Sequence, residues 1–110
     1  VDCAGELAGR LESRDYRAVK ALLNEGALEP LAECWPRLPL FDRLTAFKLL
    51  SPERAWAFFE NLGEADRYAL FTGFDLGSIA PVLEPLPDSE RALFVALPES
   101  FRDRMAETLR

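Results

Sequence analysis

A punctuation mark recurs every twelve residues along this chain, and it limits the possible folds more than any other feature. Apolar residues that close a segment stand at Leu38, Leu50, Leu62, Phe74 and Leu86, each twelve after the last, and then at Leu97 after eleven. Each is followed by a residue that caps a new helix or breaks the old one: Pro39, Ser51, Gly63, Asp75, Pro87 and Pro98. Between these marks the apolar columns hold phase. Ala46-Phe47, Phe58-Phe59, Leu70-Phe71, Val82-Leu83 and Phe94-Val95 lie eight and nine residues past the closing residue, and Leu44, Trp56, Tyr68, Ala80 and Ala92 lie six past it. Those offsets trace one broad stripe on a helix, so each beat reads as a short amphipathic helix. With 19 Leu and 15 Ala against 8 Val, Ile and Thr together, the composition leaves no support for a sheet.

A helix of about 8 to 10 residues rises only about 12 to 15 Å and is not stable alone in water, so stability has to come from stacking. Connections of two to four residues make sequential helices antiparallel neighbours, so that two beats form one helical hairpin. The expected fold is therefore all-α: a single domain over residues 1–110, built as a right-handed, α-solenoid-like superhelix of short antiparallel helices with a repeat of about twelve residues. Ser51 is expected to cap a helix that opens with Pro52 and Glu53, and Asp88 to cap one that continues through Ser89 and Glu90. Upstream, helices are expected over residues 5–12, over 15–24 with Gly26 closing, and over 29–35 with Pro36 stopping. Cys34 falls in the column of Ala46 and Phe58 and reads as core, and the aromatic column Trp56, Phe58, Phe59, Tyr68, Phe71 and Phe74 reads as packing. Gly77 and Pro81 break one repeat, which calls for a late helix start near Ser78 or a kink.

Charge and chemistry narrow the function. Nineteen Asp and Glu against 13 Lys and Arg give a net charge of -6 and a pI near 4.7, which repels a nucleic-acid backbone. The chain has no histidine, so Ser-His-Asp and Cys-His catalysis, imidazole metal sites and a switch near neutral pH are all excluded. Cys3 and Cys34, far apart along the chain and with no C-x-x-C, are expected as reduced thiols of a cytoplasmic protein. No apolar run approaches the roughly 20 residues that span a bilayer, so this segment is not expected to insert in a membrane. Glycine-rich phosphate loops and nucleophile-base pairs are missing, and no enzymatic activity is expected. The start at Val1-Asp2-Cys3 suggests a segment of a longer polypeptide.

Three stretches carry a resemblance: Leu49-Leu50-Ser51-Pro52-Glu53-Arg54-Ala55, then Phe58-Phe59-Glu60-Asn61-Leu62, and Leu83-Glu84-Pro85-Leu86-Pro87-Asp88-Ser89-Glu90-Arg91. Together they resemble the intracellular N-terminal domain of the MgtE family of magnesium channels and transporters. The middle region of the flagellar motor switch protein FliG has a similar helical architecture, but that family carries a Glu-His-Pro-Gln motif that a chain without histidine cannot hold. The MgtE resemblance implies a cytoplasmic regulatory domain that docks on a pair of CBS domains and closes the pore of the same longer chain when Mg2+ bridges acidic side chains. Onto this sequence the ligand role carries only to Asp88 and Glu90, which helix capping and dipole complementarity also explain. The alternative is a helical-repeat adaptor that binds a soluble protein partner without metal.

Overall fold

The computed structural model describes the backbone of residues 3–110 and the side chains of residues 4–110. Among the described residues nine α-helices follow one another: α1 Cys3–Glu12, α2 Tyr16–Glu25, α3 Glu29–Cys34, α4 Leu40–Leu49, α5 Pro52–Glu60, α6 Glu64–Thr72, α7 Ala80–Leu83, α8 Asp88–Arg91 and α9 Glu99–Thr108. Two single 3-10 turns, Trp35–Arg37 and Leu76–Ile79, extend α3 and precede α7. No strand occurs among the described residues. From Leu40 onward the helical segments begin at Leu40, Pro52, Glu64, Leu76, Asp88 and Glu99, so the twelve-residue beat sets where helix starts.

Local chemistry explains the boundaries. Asp15 caps α2 by accepting the Ala18 N–H, and Gly26 closes it. Pro52 occupies the first position of α5, where its missing N–H costs nothing. Ser51 does sit at the N-cap, but its hydroxyl makes no cap bond, and its own N–H donates to Asn24 Oδ1 at 2.9 Å instead. Asp88 is not a cap: Pro87 holds that position and Asp88 is the first helical residue. α1 begins two residues before the expected 5, and α3 ends at Cys34 because Pro36 tightens the chain into the 3-10 turn. Arg14 joins α1 to α2 at φ 62, a left-handed conformation usually filled by glycine.

Packing skips along the chain: α1 lies on α3 as well as on α2, α2 on α4, α4 on the Leu76–Ile79 turn, and α6 on α9. One continuous core runs from Leu7, Leu11 and Val19 through Leu31, Cys34, Leu49 and Phe59 to Leu70, Ile79 and Met105. Every residue from Leu44 to Leu50 is buried. Cys34 is buried as expected, its Sγ directed at the Leu31 carbonyl, while the Cys3 thiol lies outside the described residues. Phe101 pins α9 to the rest, its ring meeting Trp56 at 5.5 Å, Phe47 at 6.3 Å and Phe74 at 6.4 Å. The radius of gyration is 13.1 Å, the value of about 13 Å expected for a closely packed chain of this length. Among the described residues no helix is long and apolar enough to cross a membrane.

Candidate functional site

Asp88 and Glu90 lie on the single turn of α8, and a different guanidinium engages each. Asp88, with 95% of its side chain exposed, pairs with Arg91 of the same turn. Glu90 reaches Arg17 of α2 at 3.2 Å. The fold thus commits these carboxylates to one local and one long-range ion pair, and both are open enough to water that neither pair is worth more than about 1 kcal/mol. Among the described residues no group of three or more His, Cys, Asp and Glu side chains is arranged to hold a metal ion. Carboxylates suit Mg2+, but two of them leave most of its oxygen shell to be supplied from elsewhere.

The basic residues carry a more regular pattern. Arg43 and Arg67, two beats apart, perform the same task. Arg43 Nε donates to the carbonyl of Leu38 and Nη2 to that of Pro36, at 3.0 and 3.2 Å. Arg67 Nε donates to Leu62 and Nη2 to Glu60, at 3.0 and 2.7 Å. Each guanidinium also lies over the aromatic ring eight residues back, Trp35 at 5.8 Å and Phe59 at 5.7 Å. Each therefore ties down the unpaired carbonyls at the end of the preceding segment. Arg91 stands two beats further on but pairs with Asp88 instead, because the segment before it has shrunk to the four residues of α7.

A second set of ties links α2 and α4 to segments further along the chain. Asn24, the ninth residue of α2, donates to the Leu49 carbonyl at 3.0 Å and accepts the Ser51 N–H, bridging α2 to the α4–α5 junction. Lys48, the ninth residue of α4 and two beats further along, donates from Nζ to the carbonyls of Gly73 and Phe74 at 2.5 and 2.6 Å, bridging α4 to the end of α6. Only 2% of Lys48 is exposed, and burial pushes its ammonium pKa down from 10.5 to about 8, with Asp75 opposing the shift. Lys20, whose pKa burial also lowers, donates to the Leu93 carbonyl, and Arg54 donates to those of Leu23 and Gly26. These roles do not show in a reading of the sequence, where the basic residues enter only through the net charge. The legible signal is the two-beat spacing shared by Asn24 and Lys48, by Arg43 and Arg67, and by Trp35 and Phe59.

The third position of the second set is Thr72, the ninth residue of α6. Its hydroxyl turns back to the Ala69 carbonyl of its own helix, and no side chain of α6 ties the α8–α9 junction among the described residues. A cleft of about 690 Å³ opens there, lined by Phe71, Thr72, Asp75, Leu97, Glu99 and Arg102. Arg102 lies over the Phe71 ring at 4.7 Å and has no carboxylate partner among the described residues. Beside the cleft, and sharing Phe71 with it, runs a groove of Ala65, Tyr68, Ala106 and Leu109. Trp56, Phe58, Phe59, Phe71 and Phe74 pack as expected, but Tyr68 does not: it is 60% exposed, where Leu44, its counterpart two beats earlier, is 7% exposed. Gly73 lies close against the Leu44 side chain on α4, whereas α6 is followed by a single 3-10 turn and nothing comparable covers Tyr68. Compared with family models, with curated proteins and with solved structures, the chain matches none.

Proposed function

We propose that these residues form the cytoplasmic regulatory domain of an MgtE-type magnesium transporter, a right-handed superhelix that controls the pore through a Mg2+-dependent interface with CBS domains. The observation that supports this reading is the repetition of side-chain roles every two beats, in Arg43 and Arg67 and in Asn24 and Lys48. Of the segments that carry the resemblance, Leu49 to Ala55 spans the α4–α5 junction, and Leu83 to Arg91 spans the end of α7 and all of α8. Charge supports it as well. Among the described residues only Asp15, Asp66, Asp88 and Glu90 enter ion pairs, so most of the acidic surface lacks a cationic partner. Two such surfaces repel until a hard divalent cation neutralises them. Asp88 and Glu90 would then leave Arg91 and Arg17 and supply two of the oxygen ligands, the rest coming from the opposing domain. The domain is non-enzymatic in this reading.

Detection of the native polypeptide in fractionated cells, by intact mass, tests it. The expected product is in the membrane fraction, several times heavier than 12.4 kDa, and its residues 88–108 become more resistant to protease in millimolar Mg2+. A soluble product near 12.4 kDa would overturn it. The metal-free adaptor is favoured by one observation, the arginine already paired with each candidate ligand. A soluble partner recovered equally with and without chelator would decide for that reading.

A further inference from the structure

Lys48 touches both ends of the segment that follows α6. Its Nζ donates to the carbonyls of Gly73 and Phe74, and its own carbonyl accepts the Val95 N–H at 2.8 Å. The chain from Asp75 to Phe94 therefore leaves one residue of α4 and returns to it. We infer that residues 75–94 form a strap, clasped at both ends by Lys48, that opens and closes over α2 and α4 as a single unit while α9 stays docked.

A segment whose ends meet at one point can leave the surface without displacing the elements before and after it. Within the strap α7 and α8 have four residues each, too few to stand alone, and only Ile79 and Phe94 are buried. Beyond the clasp it is held by the Leu76–Ile79 turn on α4, by Phe94 edge-on to Tyr16 at 5.4 Å, by Glu90 on Arg17, and by the Leu93 carbonyl on Lys20. No part of the strap is a stable helix in itself, so losing one hold loosens all of them, and the opening is cooperative. The helix beyond it has anchors of its own: Phe101 of α9 packs among Phe47, Trp56 and Phe74, all outside the strap, and Met105 is fully buried. Opening uncovers the Tyr16 ring and releases Glu90 from Arg17. The clasp needs no metal and does not depend on the magnesium reading.

Native-state hydrogen exchange in sub-denaturing urea tests it at three amides: Glu84, which donates to the Ala80 carbonyl, Ala92, which donates to that of Asp88, and Met105 in α9. In the parent, Glu84 and Ala92 should share one opening with the same urea dependence, and both should be at least about tenfold less protected than Met105. Lys48→Met removes the tie at Gly73 and Phe74 and leaves the carbonyl that holds Val95. It should nevertheless speed Ala92, at the far end, by the same factor as Glu84, at least about tenfold. Lys20→Met loosens the opposite end at Leu93 without touching the buried core, and decides alone should Lys48→Met not fold. It should speed Glu84 as much as Ala92, at least about threefold. The inference is overturned if each substitution speeds only the end it touches, or if Glu84, Ala92 and Met105 share one common protection in the parent.

Discussion

Residues 40–72 and residues 76–98 obey the same twelve-residue beat and end as different materials. In the first stretch the beat yields helices of ten, nine and nine residues, an unbroken buried run from Leu44 to Leu50, and carbonyl ends held by Arg43, Arg67 and Lys48. In the second it yields a 3-10 turn and two helices of four residues, and only Ile79 and Phe94 are buried. Spacing of the breaks is therefore not what decides stability. Gly77, Pro81, Pro85 and Pro87 crowd the second stretch, so little helix fits between breaks and few apolar side chains reach the core.

Substitutions of buried against half-buried apolar residues should break the comparison most visibly. Phe59→Ala removes a ring that is fully buried and stacked 5.3 Å from Trp56, and should cost about 4 kcal/mol in urea denaturation. Val82→Ala, in the adjoining column and only partly buried, should cost about 1 kcal/mol. Equal losses would mean that the second stretch is packed as tightly as the first.

Lys48→Met keeps the apolar stem and deprives the Gly73 and Phe74 carbonyls of their donor, which should cost about 2 kcal/mol at pH 7. The pH dependence carries a definite sign. The folded pKa of Lys48 is near 8 and the ordinary value is 10.5, so between these the unfolded chain binds more protons and stability rises with pH. The stability difference between the parent and Lys48→Met should therefore widen from pH 8 to pH 10.5 and be flat below pH 7. A difference that shrinks over that window would refute the placement of this ammonium.

Arg67→Ala should cost about 1.5 kcal/mol, because it frees two helix-end carbonyls and uncovers Phe59. Arg91→Ala, at the equivalent position of the second stretch, should change stability by less than about 0.5 kcal/mol, since it loses only an exposed pair with Asp88. The smallest effect outside these stretches is a gain: Arg14→Gly relieves the left-handed residue between α1 and α2 and should stabilise by a few tenths of a kcal/mol, up to about 1 kcal/mol, in the same assay.

Much of the architecture was legible because helix starts depend on local breakers. Pro39, Ser51, Gly63, Asp75, Pro87 and Pro98 are each the N-cap of the segment that follows. Gly77 and Pro81 marked the irregular repeat, but of the two options, a late start near Ser78 or a kink, neither gave its form: a 3-10 turn from Leu76 that contains Gly77, followed by α7 from Ala80 with Pro81 in its first turn. Most of what failed depended on partners distant in sequence. Tyr68 has the column position of a core residue, and only the absence of a covering helix exposes it. Asp88 lost the capping role to Pro87, whose extended backbone already starts the helix. Asn24, Lys48 and Arg67 look like ordinary solvated residues until the chain brings carbonyl ends to them, and only their two-beat spacing from an equivalent residue could have singled them out. The Asp88 and Glu90 candidates were found on one turn, where Arg91 lies three residues from Asp88, yet Arg17 became clear as the partner of Glu90 only with α2 in place.

Native-state hydrogen exchange over the two stretches gives the sharpest single comparison. Amides of residues 44–50 should exchange at least about tenfold more slowly than those of residues 79–84, since one stretch is buried and tied and the other is short and half-exposed. Equal protection through residues 79–84 would contradict the claim that helix length between breaks, and not the beat itself, sets the stability of this fold.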